Sequence, residues 1–403
     1  MKREILCAAL CAAIYSPASA QAYRVEAGPA EIGVIRRDGR AVVSGEGAFQ
    51  QPDHFVWGAS VIRGDDGRYY MVYSAVPTGK YAFDPAWVLS SKMGLAVSDR
   101  PDGGFRHLGF FLNEDGFRPD RSAWDAQTVM NPHLRKFGDR YYLYYVGGVD
   151  LGNDRVRSAD GTLPLRARVQ QSLRIGVIAF ESFDDLLAGR FERSFGPLLA
   201  PRTRVKPNDI VDPSPAGTQP KPDNIIVVNP AVVCRPTDGK YLLYFKGNLY
   251  DPTWRGVHGV AIGDSPTGPF VPQDCEVLTI EGADKRLSAE DPYVWYSGRD
   301  SCFYAVFKDF TGAFTRSEPC LAVMRSRDGI EWELPEQSLF MKKQVVLPSG
   351  EVAKVARLER PQLLVDEQGV PLVLYCACAV DEVNARVDGG SFNVQIPLRN
   401  EAR

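Results

Sequence analysis

The sequence predicts an all-β fold, a five-bladed β-propeller with four-stranded antiparallel blades, and two observations predict it. A short apolar run, a turn and an aromatic-rich strand recur five times, aligned on Gly67, Gly138, Gly239, Gly298 and Gly369. Strand repeats of this size mark a propeller. A second hairpin follows most copies, and two hairpins make one blade. The competing architecture is a β-sandwich whose turns coincide by chance.

In chain order, the opening MKREILCAALCAAIYSPASAQA has a basic start, an apolar centre and the small residues Ala18-Ser19-Ala20. That is the build of a secretory signal, so residues 1–20 read as a cleaved leader of a periplasmic or secreted protein and 21–403 as a single propeller domain. Copy one is WGASVIRGDDGRYYMVYS from Trp57, followed by GLAVSDRPDGGFRHLGFF from Gly94. Copy two is MNPHLRKFGDRYYLYYVG from Met130 with RIGVIAFESFDDLL from Arg174, and copy three is VNPAVVCRPTDGKYLLYFKG from Val228 with GVAIGDSPTGPF from Gly259. Copy four is EDPYVWYSGRDSCFYAVFKD from Glu290 with LAVMRSRDGIEWEL from Leu321. Copy five, ERPQLLVDEQGVPLVLYCAC from Glu359, runs through SFNVQIPLRN from Ser391 and stops without a fourth strand. The segment after Tyr23 is therefore expected to complete that blade and close the ring. Asp-Gly and Gly-Asp supply the positive φ that tight β connections require.

At 403 residues and 44% hydrophobic content the chain is long enough for a substantial core. No stretch after the leader is long enough to span a bilayer. A net charge of −3 without a basic stripe excludes a nucleic-acid partner. Six cysteines follow the leader, at spacings that match no metal motif; Cys376 and Cys378 share a strand face, a poor geometry for a bridge.

In a propeller the first strand of every blade lines the channel, so its entry residues converge. Those positions are Gly58-Ala59, Asn131-Pro132, Asn229-Pro230, Asp291-Pro292 and Arg360-Pro361. Proline suits the first residue of a strand, which accounts for the prolines but not for the acids beside them. Asp53, Asp125, Asp223, Glu290, Asp291 and Glu359 fall around the same register. A ring of carboxylates suits glycosidic hydrolysis, with one protonated and one ionised. The catalytic candidates are Glu290, Asp53, Asp125 and Asp223; the candidate substrate contacts are His54, Trp57, Trp124, Asn131, Asn229, Lys246, Asp291, Lys308, Glu359 and Arg360. The plainer role for any one acid is a turn cap or an ion pair with Arg360, Lys246 or Lys308.

Five connections between second and third strands are expected to be long and to wall this mouth: about 75–93, 147–174, 248–258, 309–320 and 379–391. They carry Tyr81, Phe83, Trp87, Trp254 and Phe314, which either stack on sugars or plug the rim. Arg155, Arg157, Arg166 and Arg168, with Arg202, Arg204 and Lys206, are placed to meet an anionic sugar or simply to solvate a loop.

These motifs resemble the five-bladed propeller glycoside hydrolases, the superfamily of families 43, 62, 32, 68 and 117, with arabinanases, levansucrases and invertases among them. The resemblance spans nearly the whole chain after the leader. AEDPYVWYSGRDSCFYAVFKD is similar to the fourth-blade Glu-Gly-Pro-Tyr segment of family 43, which implies that Glu290 is the general acid. Family 43 has aspartates where this chain has Gly58 and Asn229, so the base is displaced, with Asp53, Asp125 and Asp223 as substitutes. The resemblance to family 117, where the acid is a histidine, draws attention to His54. A mouth walled by long loops admits a chain end rather than a chain middle, which favours exo action on plant or algal oligosaccharides, and the resemblance, closest to inverting relatives, implies inversion. No cofactor is required for such chemistry, and a structural calcium ion at the channel centre is a site to look for among the oxygens of the mouth. A non-catalytic sugar-binding propeller, or a phosphorylase or transferase on the same fold, are the alternatives.

Overall fold

The computed structural model describes residues 25–38, 40–113, 118–152, 163–202, 216–250, 254–280, 282, 287–382 and 390–400. The expected leader at residues 1–20, Arg155, Arg157, Arg204, Lys206 and the side chain of Trp254 lie outside the described residues. Five antiparallel sheets follow one another along the chain, each ordered outward from its first strand. Blade I is His54–Arg63, Tyr69–Pro77, Lys92–Ser98 and Arg106–Leu112; blade II is Thr128–Phe137, Arg140–Gly148, Arg174–Phe180 and Glu192–Arg193. Blade III is Val228–Cys234, Tyr241–Tyr250, Trp254–Gly263 and Phe270–Pro272; blade IV is Ala289–Ser297, Cys302–Asp309, Cys320–Ser326 and Leu339–Met341. Blade V takes Arg357–Val365, Pro371–Ala379 and Ser391–Asn400 from the chain's end and Val25–Ala27 from its start. Val25 pairs with Asn400 and Ala27 with Leu398, so the first strand is the fourth strand of the last blade, as the missing element in copy five predicts.

Apolar cores lie between neighbouring blades. Tyr70, Val72 and Leu95 of blade I meet Val129, Leu143 and Ile178 of blade II, and Tyr144 and Val177 of blade II meet Val232 and Leu243 of blade III. Tyr244 and Val260 face Phe303 and Met324 across blades III and IV; Trp295 and Val306 face Leu374, Cys376, Cys378 and Phe392 across blades IV and V. Val373 and Tyr375 of blade V then pack on Val56 and Met71 of blade I. Strands buried on both faces read as continuous apolar runs, which is why the sequence is so rich in tyrosine and valine at these points. Cys376 and Cys378 share one of these cores as free thiols, on the same face as expected.

The turn glycines hold left-handed φ at Gly67, Gly138, Gly239 and Gly369 (83°, 59°, 71° and 80°), whereas blade IV places Ser301 at 51° instead of Gly298. The wall segments also differ from expectation in one place. Blade III has no long loop at 248–258: its second and third strands stay paired from Tyr241↔Gly263 to Tyr250↔Trp254. Blades I and II do insert structure, helix α1 (Phe83–Leu89) and helix α2 (Leu165–Ser172), which contact each other.

Phe392 is fully buried in the blade IV–V core. Truncation to alanine is expected to cost about 3–5 kcal/mol, read as a large drop in the thermal unfolding midpoint. Val271→Ala, at a position 62% exposed, should stay within about 0.5 kcal/mol of the parent.

Candidate active site

Each innermost strand breaks its ladder at the same place. Register shifts fall between Trp57 and Ala59, between Tyr144 and Val146 opposite His133 and Met130, between Val228 and Ala231, between Glu290 and Tyr293, and between Glu359 and Gln362. The residue inside each bulge is left-handed: Gly58 (φ 38°), Asn131 (56°), Asn229 (57°), Asp291 (58°) and Arg360 (55°). A bulge re-aims a side chain at the cost of one ladder pair. Here Asn131 Nδ2 donates to Asn229 Oδ1 at 2.6 Å and Asn229 Nδ2 to Asp291 Oδ1 at 2.6 Å. Asp291 also accepts from the Arg360 backbone N–H at 3.1 Å and from Arg360 Nη1 at 3.3 Å. Gly58 leaves room for that arginine, since a Cβ there would sit 3.2 Å from Arg360 Nε.

A cavity of about 680 Å³ opens over this ring. One wall is apolar, with Trp57, Phe83 and Trp87 beside Met130, Leu173, Ile226 and Val228. The Phe83 and Trp87 rings come from α1, which Arg166 of α2 ties down by bonding Asp84 at 2.8 Å. The other wall is charged. Lys308 Nζ donates to Glu359 Oε1 at 2.7 Å and lies 3.9 Å from Glu290 Oε2, while Lys246 Nζ lies 3.3 Å from Glu290 Oε1. Arg357 joins Glu359 at 3.2 Å and Glu382 at 2.8 Å.

Burial pushes the Glu290 carboxyl up, but Lys246 and Lys308 outweigh it and hold it below the usual range. The raised value falls on Asp291 beside it, pushed up to about 6 by burial and by the Glu290 charge. Burial lowers the Lys308 ammonium, yet Glu359, Glu290 and Asp291 together raise it.

Nine of the fourteen catalytic and substrate-contact candidates line the cavity, Glu290, Trp57, Asn131, Asn229, Lys246, Asp291, Lys308, Glu359 and Arg360, together with the wall aromatics Phe83 and Trp87. Five do not, and the expectation that Asp53, Asp125 and Asp223 join Glu290 around one cavity is corrected. Asp125 is fully buried, accepting from Arg118 at 2.9 Å, from Tyr145 Oη at 2.6 Å and from Arg193. Asp223, equally buried, takes a two-pronged arginine, Arg202, which also reaches Asp274. Asp53 is an exposed left-handed turn residue whose carbonyl accepts from the Thr78 N–H. His54 donates from Nδ1 to the Pro52 carbonyl at 2.7 Å and packs on Phe110. Trp124 lies flat on Gly147 and Gly176, whose absent side chains make its slot, and stacks on Tyr145 at 5.7 Å.

Arg166 and Arg168 are engaged with Asp84 and Asp150. Phe314 is core rather than wall. The sequence reading missed Phe310, Arg357 and Glu382 in the cavity wall. Arg357 lies two residues before Glu359 on one strand, a same-face spacing that could have found it. Phe310 is set by Asp309, whose buried carboxylate accepts the N–H groups of Thr311, Gly312, Phe314 and Thr315.

The axis does not fit the expected calcium ion, which needs six to eight oxygens. Asn229 and Asp291 oxygens already accept from neighbours, the Arg360 guanidinium lies among them, and His133 below points its ring nitrogens at Gln362 Oε1 and the Val232 carbonyl, each at 3.2 Å. Among the described residues no group of three or more His, Cys, Asp or Glu is arranged to hold a metal.

No family model matches the chain. A segment is 32% identical over 103 residues to an extracellular endo-α-(1→5)-L-arabinanase of Bacillus subtilis, covering 23% of this chain and 20% of that protein. The chain spans about a fifth of that relative and less than two fifths of the other curated relatives it matches. A family 117 glycoside hydrolase of Zobellia galactanivorans superposes with a TM-score of 0.55 at 15% identity, over 93% of this chain and 90% of its own. A thermostable family-43 glycoside hydrolase superposes with a TM-score of 0.52 at 12% identity, over 88% of this chain and 96% of its own. At these identities the likeness shows that the chain shares the propeller fold of these glycoside hydrolases.

Asp291 makes a pH prediction. Its carboxyl titrates at about 6 folded and near 3.8 unfolded, so ionisation destabilises the fold and stability from this group is lost as pH rises from 3.8 through 6. Asp291→Asn should therefore gain about 2–3 kcal/mol relative to the parent between pH 4 and pH 7, measured by unfolding midpoints at both pH values. An unchanged difference would remove the raised value.

Proposed function

We propose that the protein is a glycoside hydrolase that takes the end of an oligosaccharide chain and cleaves it with Glu290 and Glu359. The observation that carries this reading is the pair of glutamates sharing the Lys308 ammonium, at 3.9 and 2.7 Å, opposite the aromatic wall of Trp57, Phe83 and Trp87. Aromatic faces hold a sugar ring while polar groups fix its orientation. A cavity of about 680 Å³ roofed by α1 and α2 suits a chain end rather than a chain middle. The leader at residues 1–20 supports export, where such polymers are met.

Glu359 accepts from two cations, Lys308 and Arg357, the setting of a nucleophile. Glu290, farther from its lysines, is the acid, as the resemblance to family 43 implies. Its lowered value in the open cavity means that it acquires its proton only as bound sugar excludes water and favours the neutral form. The nearest oxygens of the two glutamates cannot be farther apart than the sum of their distances to Lys308, about 6.6 Å. That upper limit only just enters the ~6.5–9.5 Å separation of inverting enzymes and spans the ~5–5.5 Å of retaining ones. Retention is therefore favoured over the inversion that the resemblance implies. A purely sugar-binding propeller is disfavoured by this pair, because binding gives no reason to place two carboxylates on one ammonium.

Glu290→Gln should lower hydrolysis of an unactivated oligosaccharide substrate ~10²–10⁴-fold and spare most activity on an aryl glycoside whose leaving group barely needs a proton. Glu359→Gln should lower both. Proton NMR of the first-formed product should show the substrate's anomer. Equal losses for Glu290→Gln on both substrates would place the acid elsewhere, and an inverted product would break the pairing with Glu359.

A further inference from the structure

The geometry points to a substrate whose reacting sugar carries a carboxylate, received by Arg360 and Arg357 on the floor of the cavity. This rests on the glycosidase reading of the same site and names its substrate class. Arg360 is only 3% exposed, and its guanidinium uses Nη1 on Asp291, leaving Nε and Nη2 without a partner. Arg357 Nε is likewise buried and unpartnered. Both arginines line the cavity, and both come from the first strand of blade V, Arg357–Val365.

Nε and Nη2 form the edge of guanidinium that matches a planar pair of anionic oxygens. A buried donor of a charged group is costly to leave unmade, so an unpartnered edge bordering a binding cavity is one for a ligand to fill. Gly58 lets the guanidinium sit there, since any side chain at 58 would begin 3.2 Å from Nε. The loop arginines are occupied elsewhere: Arg166 by Asp84 and Gln170, Arg168 by Asp150, and Arg202 by Asp223 and Asp274.

Charge decides between an anion and a pair of neutral hydroxyls. Every acid of the cavity has a cation: Asp84 has Arg166, Glu290 has Lys246, Asp291 has Arg360, Glu359 has Lys308 and Glu382 has Arg357. Once Glu290 carries the proton it must donate, one positive charge is left uncompensated. Hydroxyls would satisfy the open N–H groups but not that charge. A carboxylate satisfies both, and its presence near Glu290 favours the protonated form of the acid.

The test is calorimetric titration of the full-length protein with sodium D-glucuronate and D-galacturonate, against D-glucose, D-galactose and glucose 6-sulfate. The uronates should bind at least about tenfold more tightly than their neutral parents. Arg360→Lys, which keeps the charge but not the fork, should abolish most of that preference. Arg357→Gln, which leaves the ring of bulges untouched, should weaken it severalfold and keeps the test decisive if Arg360→Lys fails to fold. Equal binding of uronate and neutral sugar, or a preference that survives both substitutions, would overturn the proposal; tighter binding of the sulfate ester would overturn the carboxylate in favour of a sulfated sugar. Because the titrations read binding alone, a protein that binds uronate and cleaves nothing would refute hydrolysis and leave the carboxylate site standing.

Discussion

The mouth of this propeller depends on one backbone constraint, the left-handed residue that enters each innermost strand. A left-handed conformation costs most residues about 1–2 kcal/mol, and glycine, asparagine and aspartate bear it best. Four of the five positions are filled from that set, Gly58, Asn131, Asn229 and Asp291. Arg360 is the exception, and Asp291 holds it twice, at its backbone N–H and at its guanidinium. Four of the five bulges turn their side chains onto one another, so Asn131, Asn229, Asp291 and Arg360 form one hydrogen-bonded chain, with Gly58 packed against the Arg360 side chain.

Above the ring, charge alternates from blade III to blade V: Lys246, Glu290, Lys308, Glu359, Arg357, Glu382. Each like-charged pair is separated by a counter-ion, which lets two glutamates approach closely without either leaving a bare buried charge. Buried ion pairs are weak sources of stability, so this ladder is better understood as what the chemistry requires than as what the fold requires. The fold rests instead on the cores between blades, where Tyr144, Trp295 and Tyr375 are almost fully buried.

The architecture was legible because its signals are local. Turn glycines and X-Pro openings recur in fixed register, and a missing strand in copy five left only the N-terminal segment to supply it. The site was legible where a residue lies on the register itself, as Glu290, Asp291, Glu359 and Arg360 do. It failed six residues upstream. Asp125 and Asp223 share a spacing, but their partners Arg118, Arg193 and Arg202 lie on other segments and no local pattern links them. Equal spacing in two copies there records equal anchoring of two crossovers. Glu290 lines the cavity from its register position, but its electrostatics were not legible, since Asp291 is visible beside it in sequence while Lys246 and Lys308 approach only in three dimensions.

Gly58 and Arg360 occupy the same small volume from opposite ends of the chain. With the Gly58 backbone at φ 38° and a would-be Cβ against the arginine side chain, bulk at position 58 strains the backbone and requires Arg360 to shift. Substitutions there should show strong sign epistasis: a carboxylate restored at position 58 is accommodated only on a background that has already lost the arginine, and the reverse order is blocked.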